Sequence, residues 1–264
     1  MPDLEETFSR RQLLTRVGAA GLTFAGLTLL AGCGGGSSSS NAASAPTQTD
    51  VLNFALNLEY LEAQFYSYAV NGTGIPAADT GNSAATVTGF AKITFSDPVV
   101  AAVAAELAAD ELAHVMDLRA ALGPLAVPMP ALNLAALGAP TTDATFLKIA
   151  RALEDTGVSA YAGAATLLSG TYLQDAAQIL AVEAYHGGNI RLLVAQKGIA
   201  TSAIDSMDVL PPPSGTKYFT TNSAALAIAR TPSEVLAIVY ANSAAGTSSG
   251  GFFPSGLNGN IKSV

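Results

Sequence analysis

The chain has 264 residues, of which 50% are hydrophobic and only 12% charged, and its formal net charge is −8 at pH 7. This length allows one large domain or two small ones. The acidic balance, without a surface pattern of basic and aromatic residues, argues against a protein that binds nucleic acid. Alanine is abundant and tryptophan absent, which favours closely packed helices.

The first 32 residues are predicted to be a signal peptide. A twin arginine, Arg10-Arg11, precedes the apolar run Val17–Ala31, which is too short to span a membrane and typical of an export signal. The run leads into Leu-Ala-Gly-Cys, a pattern that resembles a bacterial lipobox and ends at Cys33, the only cysteine. We therefore expect an exported protein, lipid-anchored through Cys33 on the periplasmic side of the cell envelope, with a flexible tether over residues 33–49.

Four long segments with apolar residues at alternating steps of three and four predict a helical bundle over residues 50–198. The predicted helices span about residues 50–70, 98–122, 144–170 and 171–197. Thr49-Asp50 is the expected cap of the first helix, and Asp97-Pro98 that of the second. A proline-rich crossing loop separates the second helix from the third.

Residues 199–264 are predicted to form a C-terminal extension. Thr231 and Glu234 match a capping box, which indicates a short helix through Tyr240. Phe252 and Phe253 follow in a stretch rich in glycine and serine, and we expect these rings to pack back onto the bundle.

Two Glu-x-x-His pairs stand out, Glu111–His114 and Glu183–His186, and they contain both histidines of the chain. Residues three apart on a helix project about 60° apart, so both side chains of a pair can reach one point. Each pair interrupts an apolar seam, where ionisable groups are costly unless they are paired or bound to a metal.

A second repeat places a tyrosine seven residues after a glutamate, at Glu59–Tyr66 and Glu154–Tyr161. Two helical turns less about 20° separate such residues, so each glutamate shares a seam with its tyrosine. In chain order the motifs are Glu, Glu-x-x-His, Glu and Glu-x-x-His, which is the ligand set of ferritin-like carboxylate proteins.

The sequence therefore resembles the ferritin-like superfamily, and within it the bacterial and plant group that includes a desiccation-related protein. The segments ALNLEYLEAQFY, LED…AY and GGFFPSGLNGNI carry this resemblance, which covers about residues 50–264. It implies an all-α, antiparallel four-helix bundle with a dinuclear metal site. One metal would be held by Glu59, Glu111 and His114 and the other by Glu154, Glu183 and His186, with some carboxylates bridging.

Four ligand carboxylates carry four negative charges, which two divalent cations would neutralise. Oxygen-rich sites with one imidazole per metal suit Fe or Mn, and Zn is left open. Three functions fit such a site: a redox enzyme that reacts with oxygen or peroxide, a metal-binding protein without turnover, or a stress-protective protein stapled by its metals. The sequence does not decide between them, and a homo-oligomer is one possible assembly.

Several neighbouring residues have alternative interpretations. Glu62 could replace Glu59 as a ligand, but its counterpart after Glu154 is Gly157, so we assign Glu62 to the surroundings of the site. Tyr66 and Tyr161 either fill the core or hydrogen-bond a ligand carboxylate.

Two acidic residues before the first histidine, Glu106 and Asp110, are either solvated or bonded to a ligand. Arg119 and Arg191 each follow a histidine by five residues, which turns them about 140° away from the metal. We expect these arginines at the surface or between helices.

Overall fold

The computed structural model describes residues 45–81 and 84–264. The predicted signal peptide, the lipidation site at Cys33 and most of the predicted tether lie outside these residues and stay predictions. Within the described ranges, no helix is both long and apolar enough to cross a membrane.

Six α-helices lie in the described part of the chain. The four long ones are α1 (Gln48–Asn71), α3 (Pro98–Leu122), α4 (Asp143–Ala164) and α5 (Gly170–Gln196). The two short ones are α2 (Ala77–Thr80) and α6 (Pro232–Val239). A 3₁₀ turn follows α3 at Gly123–Leu125, and β1 (Val87–Thr88) pairs in parallel with β2 (Leu132–Asn133). The predicted all-α bundle is confirmed.

Side-chain caps determine where the first two long helices begin. Thr47 caps α1 in a capping box with Asp50, whose carboxylate accepts from the Thr47 backbone N–H at 2.8 Å. The cap predicted at Thr49-Asp50 was therefore about two residues late, because Asp50 is the acidic partner of the box and not its first residue. Asp97 caps α3 as predicted, with Pro98 in the first turn.

The helix α4 ends earlier than its sequence suggested. A glycine after a helical run is a common stop signal, and Gly170 was expected to close the helix. The helix instead ends at Ala164, and Gly170, with φ of 61°, opens α5. The residues between them reverse the chain and bury Leu168.

Contacts at the two ends of the bundle fix the direction of each helix. At one end, Asn53 near the start of α1 donates to the Leu125 carbonyl beyond α3 (3.0 Å), and Gln48 accepts from the Ser169 N–H before α5 (2.7 Å). At the other end, Asp143 at the start of α4 accepts two N–H bonds from the residues before α3 (3.0 and 2.9 Å). The pairs α1–α3 and α4–α5 are therefore antiparallel hairpins.

The connection between the hairpins crosses the whole bundle, because α3 and α4 run in the same direction. It contains Pro128 and Pro130, pairs with the α2–α3 connection through β1 and β2, and is tied by a Met129 N–H bond to the Thr80 carbonyl (2.8 Å). This loop covers α1, where the Tyr60 hydroxyl bonds the Val127 carbonyl at 3.1 Å. Helices α3 and α4 and the end of the extension cover the other sides of α1, and every residue from position 51 to position 67 is buried.

The C-terminal extension covers α4 and is held by buried arginines. Arg191 of α5 donates to the carbonyls of Val209 (2.6 Å) and Tyr218 (2.7 Å) and to the carboxylate of Asp155 on α4 (2.7 Å). Arg151 of α4 donates to the carboxylate of Asp208 in the extension at 2.6 Å. Each guanidinium thus joins the bundle to the extension.

The predictions for the end of the extension agree with the structure. A capping box between Thr231 and Glu234 starts α6. Phe252 and Phe253 are both buried in the core cluster that contains the bundle helices. Arg119, expected away from the predicted metal, donates to the Tyr60 hydroxyl of α1 at 2.6 Å.

Candidate metal centre

Six carboxylate and imidazole side chains meet in the middle of the bundle. They are Glu59 from α1, Glu111 and His114 from α3, Glu154 from α4, and Glu183 and His186 from α5. The four glutamates have 0% relative exposure and the two histidines 8% and 7%. The structure brings together all six residues singled out in the sequence.

The first donor group surrounds Nδ1 of His114. This nitrogen lies 3.1 Å from Glu111 Oε2, 3.3 Å from Glu59 Oε2 and 3.5 Å from Glu183 Oε1. One atom from each of these four residues lies within 4.8 Å of all the others. A single cation could therefore contact all four.

The second donor group surrounds Nδ1 of His186. This nitrogen lies 2.9 Å from Glu111 Oε1 and 3.4 Å from Glu154 Oε2. Glu183 completes the group, whose four donor atoms also lie within 4.8 Å of one another.

Glu111 and Glu183 belong to both groups. Glu111 directs Oε2 to His114 and Oε1 to His186, and the two imidazole centroids are 6.0 Å apart. The family resemblance assigned Glu111 to one metal and Glu183 to the other, with some carboxylates bridging. The geometry instead places Glu111 and Glu183 in both donor groups, whereas Glu59 belongs only to the first group and Glu154 only to the second.

Many of these buried donor atoms lack a hydrogen-bond partner in the described part of the chain. They are Glu59 Oε2, Glu111 Oε1, Glu154 Oε2, both oxygens of Glu183, and His186 Nδ1. Leaving a polar atom buried and unpaired costs about 1–3 kcal/mol, and more for a charged group. One donor atom from each residue of a group also lies within 4.8 Å of the other three, so the donor set fits metal cations.

The cluster has strongly shifted proton affinities when only protein groups are considered. Burial, followed by repulsion from Glu59, raises the pKa of Glu111 to about 7, and burial also raises the pKa of Glu183 well above its usual value. Burial opposes charge on His186, but the nearby negative carboxylates of Glu111 and Glu154 raise its pKa to about 11. Cations would therefore compete with protons for this cluster.

Two tyrosine hydroxyls hold the outer carboxylates across the hairpins. Tyr66 of α1 donates to Glu154 Oε1, and Tyr161 of α4 donates to Glu59 Oε1 at 2.5 Å. Each tyrosine bonds the glutamate of the other hairpin, not the one that precedes it by seven residues. Because Oε1 is engaged in both cases, Oε2 is the oxygen directed into the donor group.

Glu62 lies beside the cluster and outside both donor groups. It is buried, and burial followed by repulsion from Glu183 raises its pKa well above the usual value. A Cβ atom at Gly157 would lie 3.3 Å from Glu62 Oε1 and would overlap Glu183 Oε2. The glycine therefore provides the space that these two carboxylates occupy.

Asp110 contacts the second histidine from outside. Its Oδ2 lies 3.1 Å from Nε2 of His186, and its side chain is 41% exposed. The sequence left both Asp110 and Glu106 open between a solvated and a bonded role. Glu106 is exposed. The seam pattern could not identify the Asp110 contact, because it joins two helices that are distant in the sequence.

A four-helix bundle built of two antiparallel hairpins, with glutamates and histidines converging at its centre, defines the class of ferritin-like carboxylate proteins. A family model described as "Ferritin-like domain" matches residues 47–196, more than half of the chain. The chain belongs to this family, and the match covers the four bundle helices. A comparison with curated proteins finds no significant match. The narrower resemblance to the desiccation-related group stays a prediction.

Proposed function

We propose that this protein binds two divalent cations, Fe or Mn, in the central cluster and uses them in redox chemistry with oxygen or peroxide. The observation that carries the proposal is the pair of four-donor groups that share two glutamates and contain buried oxygens without a hydrogen-bond partner among the described residues. Charge supports it, since two divalent cations neutralise four carboxylates. Oxygen-rich donors with one imidazole each suit Fe and Mn.

The residues divide into two outer sets and a bridge. Oε2 of Glu59 and Nδ1 of His114 would hold one cation, and Oε2 of Glu154 and Nδ1 of His186 the other. The shared glutamates of α3 and α5 would contact both cations. The tyrosine hydroxyls on Oε1 of the outer glutamates fix which oxygen of each is free.

Iron or manganese would supply the electrons for the reduction of oxygen or peroxide. Each group offers four protein donors, which is about two fewer than a six-coordinate ion accepts. This difference leaves room for a small ligand. The glutamates are fully buried and the histidine rings slightly exposed, so the rings mark the side of the cluster nearest to solvent.

A second candidate is a metal that only stabilises the bundle, as in a structural or stress-protective protein. The complete burial of all four glutamates favours it, because a closed site hinders exchange with substrate. The two functions predict the same metal content and differ in turnover.

Elemental analysis of protein purified from its own host tests both, followed by an assay of oxygen and peroxide consumption. We expect about two Fe or Mn ions per chain, with turnover that Glu111→Gln abolishes and Glu106→Gln, on the exposed face of α3, preserves. Two ions without turnover would support the structural candidate. Protein without bound metal would refute both.

The proposed location in the cell envelope depends only on the sequence before residue 45. The twin arginine and Cys33 support export followed by lipidation. Export of folded protein would allow the metals to be inserted before translocation.

A further inference from the structure

The two Glu-x-x-His motifs repeat, but the residues that precede them do not. Asp110 lies four residues before His114, and Val182 occupies the matching position before His186. Asp110 contacts the histidine of the other hairpin, with its Oδ2 3.1 Å from His186 Nε2. By the same repeat, Val182 occupies the position from which a side chain would contact Nε2 of His114, but the valine side chain cannot accept a hydrogen bond.

The two imidazoles consequently have different surroundings. Every polar contact that the described residues make with His114 involves Nδ1. His186 instead directs Nδ1 to Glu111 and Glu154 and Nε2 to Asp110. Both ring nitrogens of His186 therefore face a carboxylate, whereas among the described residues only Nδ1 of His114 does.

A carboxylate on the outer nitrogen has a known effect on a metal-binding imidazole. It fixes the proton on that nitrogen, so that the lone pair of the other nitrogen faces the metal, and it makes that nitrogen a stronger donor. Loss of such a partner typically lowers metal affinity about 10- to 100-fold. Asp110 can act in this way on Nδ1 of His186, and no equivalent residue exists for His114 in the repeat.

We propose that the two cation positions are not equivalent: the position at His186 binds first and more tightly, and Asp110 is the positioning residue that sets this order. The inference rests on the proposed binding of two metals. Glu62, whose counterpart is Gly157, is a second difference between the hairpins. Glu62 belongs to neither donor group and stays unchanged when residues 110 and 182 are exchanged. The exchange therefore isolates the effect of the Asp110 carboxylate.

The test is a titration of metal-free full-length protein with Co²⁺, followed by calorimetry and by the visible absorption of the bound ion. We expect two separate steps in the parent protein, of which His186→Gln removes the tighter and His114→Gln the weaker. Asp110→Val should weaken the tighter step about 10- to 100-fold and leave the other nearly unchanged. Asp110→Asn, which keeps an acceptor oxygen without the charge, should have a smaller effect.

The reverse change is the most specific part of the experiment. Val182→Asp should strengthen the weaker step, and the double exchange Asp110→Val with Val182→Asp should make the His114 position the tighter one. Glu106→Gln is the matched control, since it removes one exposed acid from the same helix and should alter neither step. Unfolding of the metal-free proteins shows whether a variant has simply lost its fold.

Two results would overturn the inference while leaving the proposed function intact. One is equal affinity at both positions in the parent protein. The other is an equal loss at both steps in Asp110→Val and Asp110→Asn, which would indicate a general charge effect. A parent protein that binds no Co²⁺, Fe²⁺ or Mn²⁺ would instead refute the proposed function itself.

Discussion

Replacement of His186 by glutamine tests the metal centre most directly. The variant loses the imidazole of one four-donor group and keeps a polar side chain of similar reach. A cation at about 100 times its dissociation constant stabilises the folded chain by about 2.7 kcal/mol per site. For a chain of this size, about 1 kcal/mol corresponds to about 2–4 °C in melting temperature. The metal-dependent rise in melting temperature should therefore fall by about 5–11 °C.

The metal-free variant provides the internal reference. His186 lies 2.9 Å from Glu111 and 3.4 Å from Glu154, so its loss also removes an attraction when no cation is bound. Burial and repulsion already raise the pKa of Glu111 to about 7, and uptake of a proton there limits the destabilisation. The difference in melting temperature between samples with Mn²⁺ and with a chelator isolates the metal contribution.

Differential scanning calorimetry and elemental analysis measure the two quantities on the same samples. Tyr185→Phe is the control, because this neighbouring side chain is 68% exposed and lies outside both donor groups. The control should keep the metal content and the metal-dependent shift of the parent. Equal metal content in parent and His186→Gln, or an unchanged metal-dependent shift, would refute the assignment of His186.

Three further predictions follow from the structure and the sequence. Gly157→Ala should displace Glu183, which the added Cβ would overlap, and so lower the metal content. Gly188→Ala, where an added Cβ meets no described atom within 4 Å, should retain the metal. Elemental analysis compares the two variants, and equal metal contents would contradict the role of Gly157 in making space for Glu183. Arg191→Met should destabilise the fold by about 2–5 kcal/mol, because Asp155 keeps only the longer Arg151 contact (3.4 Å) and the Thr220 hydroxyl, and two extension carbonyls lose their donor. Urea unfolding measures this loss, and a change below about 1 kcal/mol would contradict the role of this arginine in holding the extension. Cys33→Ser should release the protein from membranes or block its processing, as measured by fractionation, and unchanged membrane partition would argue against lipidation.

The four bundle helices could be predicted because each carries its own local signals. Apolar residues at steps of three and four mark the seams, and Asp97 with Pro98 marks the start of α3. The predicted end of α4 at Gly170 was wrong, because a glycine can either end one helix or begin the next, depending on the path of the chain. Burial of Leu168 in the connecting turn is a tertiary effect that no local pattern reports.

The six central residues could be found for a similar reason. Glu111 and His114 lie on one helix face, so spacing alone shows that they can share a target. Spacing does not show that Glu111 also reaches His186, nor that Tyr66 bonds Glu154. Those contacts depend on how the two hairpins are docked, which is why sharing of the glutamates becomes clear only in three dimensions.

The extension explains why α4 is buried on more than one side. Successive residues on a helix point about 100° apart, so Glu154 faces the cluster while Asp155 faces away from it. Asp155 accepts from Arg191 at 2.7 Å and from the hydroxyl of Thr220 in the extension at 3.0 Å. A seam of apolar residues would predict a solvated face at Asp155, but the arginine and the extension cover it. The charged residues on the outer side of α4 therefore help to hold the extension, and Glu154 beside them belongs to the central donor cluster.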